Sequence, residues 1–319
     1  GGESQIFSFM RSLCKAGVTV ELFATPGSEK PDKGNLHLHY EGNWSNVFML
    51  EPEVWIRSKH EMMKSDIIHD WSLTKVVHHR AHHEFDMKCV MTPWGTGAPP
   101  PFDNYNTITW SAYQRDLFLQ QGYPKTTKYI HGAVDPSMFT PSYKEGNYFL
   151  YLSRIHPTKH PEIPIRLAKE LGIKLYIACD TESPDHVYYM QLAIEDCKNN
   201  SNIVFIVDPT FTDKCILYRG AKALIFGSES ECFGLVATEA LAHGTPVILS
   251  NDGSFPEIIK DGVHGFLCSR YVDYIKAVKN IDMIDRRKCR ALVEEKFNTD
   301  RMVKEYLLLY EQVLRGEMF

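Results

Sequence analysis

Two carboxylates, Glu231 and Glu239, bracket a turn within the stretch Gly227 to Ser250, with seven residues between them. Glu231 stands before a helix start at Phe233-Gly234-Leu235, where free backbone amides and the positive dipole end favour an anion such as phosphate. Glu239 falls among Leu235, Val236, Ala237, Ala240, Leu241 and Ala242, which suit a helix packed on a sheet. An unpaired carboxylate there would be strongly disfavoured or protonated, so something must hydrogen-bond it. A polar ligand carrying both hydroxyls and phosphates answers both demands. Upstream, Arg154 and Lys159 stand five residues apart in Ser153-Arg154-Ile155-His156-Pro157-Thr158-Lys159-His160. Arginine offers a planar fork and lysine a point charge, and at a strand end the two can grip a diphosphate from both sides.

These residues need a frame of strand, loop and helix. Apolar Ala223-Leu224-Ile225-Phe226 runs into the Gly/Ser/Glu loop, a short helix follows, and Gly244 with Pro246 ends it before the run Val247-Ile248-Leu249. Tyr148 to Leu152 is the strand that leads into the Arg/Lys loop. Further strand and helix pairs read at Lys174 to Ala178 with Val187 to Cys197, and at Ile203 to Val207 with Thr212 to Arg219. Such alternation predicts a doubly wound parallel α/β sheet. No Gly-x-Gly-x-x-Gly opens a helix and no Gly-x-x-x-x-Gly-Lys-Ser/Thr occurs, so dehydrogenase and P-loop readings lose their main support.

At 319 residues the chain suggests two domains of about 150 residues each. A net charge of −5 argues against a generally basic surface for nucleic acid. No apolar run reaches the roughly 18 residues of a membrane span. Eight scattered cysteines without a Cys-x-x-Cys pair read as reduced thiols, and so as a cytoplasmic chain, with peripheral attachment to a membrane left open.

The segment from Gly227, followed by Asn251 to Ile259 and Asp261 to Leu267, resembles the donor-binding region of the retaining GT-B glycosyltransferases of family 4. Ser153 to His160 is similar to that family's Gly-Arg-Leu-x-x-x-Lys-Gly, with Ser153 and His160 in place of its glycines. Tyr129 to Pro141 resembles its exit from the first domain. The resemblance implies two Rossmann-like domains facing a cleft: residues 1–141 on the acceptor side, 142–296 holding the nucleotide-sugar donor, and a last helix within 297–319 returning to the first domain. It implies a nucleotide-sugar-dependent hexosyltransferase, with Glu239 on the ribose hydroxyls, Glu231 on the donor sugar, and Arg154, Lys159 and the amides near Phe233, Gly234, Leu235 and Val236 at the diphosphate. Val207 borders the nucleobase, and Gly2, in the glycine loop at the start of the chain, lies near the donor. The first strand expected before that loop is absent from the sequence. No cofactor or catalytic metal is implied, the donor being a substrate such as a UDP- or GDP-sugar and the acceptor a glycan, lipid-linked or small molecule.

The N-terminal half departs from the pattern. Where the family commonly has Thr-Ile-His at a strand end, Thr92-Pro93-Trp94 stands, leaving His69 and Trp94 as candidates for the sugar or acceptor side. His69 belongs to a His-Asp-Trp element that resembles one in starch and glycogen synthases. The pairs His78/His82 and His79/His83 fall at i, i+4 on a helix, a partial metal-ligand set that reads better as a solvated or acceptor-facing helix. Two competing readings use the same plan: a sugar-nucleotide epimerase, and a non-catalytic nucleotide-sugar-binding homologue.

Overall fold

The computed structural model describes residues 2–24, 36–40, 47–71, 75–95, 106–124, 127–181 and 184–319. Gly1, the polar stretches 25–35 and 41–46, and the proline run 99–101 lie outside these residues. By its contacts the chain falls into two units, Gly2–Gly132 with Thr299–Phe319, and Ala133–Asn298. No helix among the described residues is long and apolar enough to cross a membrane.

In the unit Gly2–Gly132 with Thr299–Phe319, short strands pair in parallel: Val20–Ala24 with Leu36–Tyr40, Ile68–Asp70 with Cys89–Met91, and Ile108–Thr109 with Lys128–Tyr129. A parallel bridge from Met91 to Thr107 joins the second pair to the third. Parallel neighbours require crossovers, here the helices Val76–Phe85 and Ala112–Gln120. Ser111 caps the latter by accepting from the Gln114 amide at 3.0 Å. Trp55, Met62, Ile68, Val77, Ala81 and Cys89 form one core cluster. The helix Thr299–Leu314 buries Met302, Val303, Tyr306, Tyr310 and Val313 and packs on the helix Gly2–Lys15, which buries Phe9, Met10 and Leu13. Those positions recur at helical spacing, so each helix presents a single apolar stripe.

The unit Ala133–Asn298 is built on one six-stranded parallel sheet. In chain order its strands are Tyr148–Leu152, Leu175–Cys179, Ile203–Val207, Ala221–Phe226, Val247–Ser250 and Gly265–Cys268; in space they run sixth, fifth, fourth, first, second, third. All five residues of Tyr148–Leu152 and all four of Val247–Ser250 are buried, as expected where helices cover both faces. The order reverses between the first strand and the fourth, which pair directly, Leu150 opposite Leu224. A doubly wound sheet binds ligands at such a switch point, outside the carboxyl ends of its strands. Both loops singled out by the sequence leave the sheet there.

The helix Leu235–Ala242 is apolar around most of its circumference and lies between the sheet and the helix Arg286–Lys296. Its end is closed by two bonds, Thr245 N to Ala240 O at 2.9 Å and Gly244 N to Leu241 O at 2.9 Å, the Schellman pattern. Two arginines of the covering helix complete the packing. Arg286 donates to the carbonyls of Ser142 (2.8 Å) and Ala221 (2.9 Å) and to the Thr245 hydroxyl (2.9 Å). Arg290 donates to the carbonyls of Phe139, Ala242 and Pro136 at 2.8, 2.7 and 2.9 Å. These guanidiniums satisfy carbonyls that the chain leaves open as it enters the unit and as the motif helix ends.

Candidate functional site

Tyr148–Leu152 hands over to a loop that turns once through Pro157–Lys159, where the His156 side chain accepts from the Thr158 amide. Lys159 reaches across to Glu231, its ammonium donating to Oε1, with both side chains less than one-fifth exposed. The same carboxylate oxygen accepts from the Ser228 hydroxyl at 2.7 Å. Thr158 O lies 3.4 Å from the Glu229 amide and 3.2 Å from Ser228 Oγ. The loops after the first and fourth strands are thereby joined by side chain and backbone alike. Arg154 is exposed, and among the described residues its guanidinium has no ion pair.

A third loop, after the strand Val247–Ser250, supports Glu231 from behind. Ser230, at φ 55°, donates its amide to Asp252 Oδ2 at 2.6 Å, and Ser254 N donates to Glu231 O at 3.0 Å. Gly253 allows the approach, since a Cβ there would lie 2.7 Å from Glu231 N. Cys232, next in the chain, has its thiol pushed up to about 12, by burial first and then by the Glu231 charge.

The helix after the turn begins at Leu235 with Gly234 in the left-handed region at φ 74°, where a Cβ would meet Phe255 Cε1 at 2.4 Å. No side chain caps it. The first-turn amides of a helix have no intrahelical acceptor, so those at Leu235 and Val236, both half-buried residues, are available for an anion. Phe233 is buried, its ring 5.7 Å from that of Phe297, and fixes the direction in which the helix starts.

Glu239, one turn on, accepts from the Tyr218 hydroxyl at 3.0 Å through Oε2. Burial raises the Glu239 pKa, while the Tyr218 hydrogen bond and the charge of Lys214 oppose that rise. His243 holds its proton on Nδ1, which donates to Glu239 O at 2.8 Å; burial lowers its pKa to about 4, so the ring is neutral and stacks on Tyr218 with centroids 5.1 Å apart. Val207, at the end of the third strand, is 43% exposed and so open to contact by a ligand. The following Asp208 carboxylate accepts from Thr181 N and Oγ1 at 2.8 and 2.6 Å, bonds that lower its pKa.

The structure thus brings Lys159 and Glu231 into contact, with Phe233 to Val236 and Glu239 on the elements that continue from them. His69, Trp94 and Gly2 lie in the other unit. Gly2 opens the helix Gly2–Lys15. His69 is engaged through both ring nitrogens, Nδ1 with Tyr310 Oη at 2.5 Å and Nε2 with Thr92 Oγ1 at 2.8 Å. Burial, then the Lys75 charge, keeps its pKa well below the usual value. Trp94 donates its indole N–H to Trp71 O and packs with Trp71 and Trp110. The histidine helix Val76–Phe85 packs His79 against His83 with centroids 4.5 Å apart and ring planes tilted by 51°, and among the described residues no group of three or more His, Cys, Asp and Glu could hold a metal ion. Sequence reasoning missed Tyr218, Ser228 and Asp252; only the demand for a partner to Glu239 pointed toward one of them.

Residues 138–297, half of the chain, match the family model for Glycosyl transferases group 1. The chain belongs to that family. D-inositol 3-phosphate glycosyltransferase of Mycobacterium tuberculosis is 28% identical over 228 residues, covering 62% of this chain and 46% of the relative. The chain therefore spans about half the length of the curated relatives it matches. Among solved structures, sucrose-phosphate synthase of Thermosynechococcus elongatus superposes with a TM-score of 0.83 at 17% identity, covering 99% of this chain and 94% of that one. HepE of Anabaena, solved with UDP and glucose, gives 0.76 at 17% identity over 98% and 96%. These likenesses establish the α/β fold with parallel sheets, the GT-B plan of the group 1 transferases.

Proposed function

We propose that this group 1 family member is a retaining glycosyltransferase of family 4 that moves a hexosyl group from a nucleoside-diphosphate sugar to an acceptor hydroxyl. The observation that carries the reading is the meeting of Lys159 and Glu231 at the switch point of the six-stranded sheet, beside an uncapped helix start. Glu239 accepts hydrogen bonds from the ribose hydroxyls, and Val207 borders the base. Lys159 and Arg154, with the amides of Leu235 and Val236, take up charge on the departing diphosphate, while Glu231 contacts hydroxyls of the donor sugar. Preorganised donors aimed at developing charge carry most of the rate, with no strong protein base required. The donor is a nucleotide sugar such as a UDP- or GDP-sugar, and support for the UDP form comes from the HepE complex with UDP and glucose.

The acceptor is a glycan, a lipid-linked saccharide or a small molecule, and the reaction runs in the cytoplasm without a catalytic metal. The experiment is donor consumption with product analysis. Transfer yields a glycosylated acceptor with the anomeric configuration of the donor; an altered free sugar identifies an epimerase, and an unconsumed but bound donor identifies a binding protein. A chelator should leave the transfer rate unchanged. Loss of the rate that Mn²⁺ restores would overturn the metal-free mechanism.

A further inference from the structure

Glu231 is held by one oxygen. Oε1 takes both the Lys159 ammonium and the Ser228 hydroxyl, whereas Oε2 has no partner among the described residues. Its backbone is equally fixed, through Ser254 N on the carbonyl and the close passage of Gly253. Ser228 is fully buried, and its own carbonyl accepts from Ser250 Oγ at 2.5 Å, so its position is set by the neighbouring strand end. It has one hydroxyl proton and two acceptors in reach, Glu231 Oε1 at 2.7 Å and Thr158 O at 3.2 Å. The nearer acceptor is charged, and a charge-assisted bond is the stronger of the two.

We propose that Ser228 is a positioning residue for transfer: by clamping Oε1 it fixes the side-chain geometry in which Oε2 faces the donor sugar. This rests on the reading of Glu231 as the sugar-contacting carboxylate. The need for the clamp follows from the other contact. A lysine that turns to the diphosphate of a bound donor leaves Oε1, and Ser228 then remains the protein group on that oxygen. The carboxylate stays aimed while its partner changes. Ser228 also touches Thr158 O, so the same hydroxyl lies between the lysine-bearing loop and the glutamate-bearing loop.

The test is a double-mutant cycle of Ser228→Ala and Glu231→Ala, read by steady-state kinetics with thermal melting as a check on folding. Ser228→Ala should lower kcat about tenfold or more, as loss of a hydrogen bond to a charged group implies, with donor KM within about twofold. In the Glu231→Ala background the serine substitution should have no further effect, since no carboxylate remains to be aimed. Equal losses in both backgrounds would assign Ser228 a purely structural part and overturn the inference. So would an unchanged kcat in Ser228→Ala while Glu231→Ala is impaired. If Glu231→Ala itself transfers at the wild-type rate, the site reading fails and the inference falls with it, a result distinct from the other two.

Discussion

Tyr218→Phe removes one hydroxyl from beneath the carboxylate assigned to the ribose. The phenol donates to Glu239 Oε2 at 3.0 Å, and the ring, buried and stacked on His243, remains when only the oxygen is deleted. A hydrogen bond to a charged group contributes about 1.5–3 kcal/mol, so its loss favours the protonated form of Glu239 by roughly 10- to 150-fold. The sign follows from burial, which already raises the Glu239 pKa, and from the Tyr218 bond, which opposes that rise. Removing the opposing contact lifts the pKa further. A protonated Glu239 cannot accept from both ribose hydroxyls, so donor affinity falls as pH drops through the pKa, and in the variant this fall begins closer to neutrality. His243 does not share the titration, because burial holds its pKa near 4. The assay is isothermal titration of UDP and GDP into both proteins from pH 5.5 to 8.5, alongside melting curves. The variant should bind nearly as well as wild type at the alkaline end and progressively worse toward the acid end. A uniform loss across the range, or none, would refute the pairing of Tyr218 with an ionised, ligand-binding Glu239.

Lys159→Ala should weaken nucleoside diphosphate roughly 10- to 150-fold while leaving the bare nucleoside nearly unaffected, measured by titration calorimetry; equal weakening of both would remove the diphosphate role. Glu239→Gln should chiefly raise donor KM and Glu231→Gln chiefly lower kcat, because only contacts that strengthen at the transition state affect the chemical step; a Glu231→Gln enzyme running at wild-type kcat with saturating donor refutes that division. Gly234→Ala places a side chain in the left-handed region and against Phe255, and should lower stability by about 2–4 kcal/mol in urea denaturation. Arg290→Ala strands the carbonyls of Phe139 and Ala242 and leaves Pro136 O with the Phe139 amide alone, and should cost about 2 kcal/mol or more by the same measurement.

The strands Tyr148–Leu152 and Ile203–Val207 were legible residue by residue, because each is a continuous apolar run with turn-forming residues at its ends. Proline commonly marks the first turn of a helix, yet the helix Val47–Met62 begins five residues before Pro52 and carries it inside, a start that the local sequence does not signal. Glu231 and Lys159 stood out by type and position, but their contact spans 72 residues of chain and depends on the strand order, which periodicity does not encode. Tyr218 reads as one more apolar residue of the helix Phe211–Gly220, and Ser228 as loop filler. Their importance is a matter of where a single oxygen falls, and that is fixed only by the packed sheet. His69 is a different case: its place at a strand end made it legible as a candidate, but its contacts with Tyr310 and Thr92 through both ring nitrogens join residues 241 and 23 positions away, which no local pattern encodes.

Cys232 sits one residue from the carboxylate at the centre of the site, with a pKa of about 12, and Cys89, Cys268 and Cys289 share that value through burial. The thiolate is the reactive form, so near pH 7 only about one such thiol in 100,000 is primed to attack an electrophile. Maleimides and mild oxidants should therefore pass over Cys232 despite its location. Slow alkylation of the folded protein should fall first on Cys14 and Cys215, which are partly exposed as Cys232 is but lack its large upward shift, and the transferase motif would behave as a cysteine-containing site that is inert to thiol chemistry.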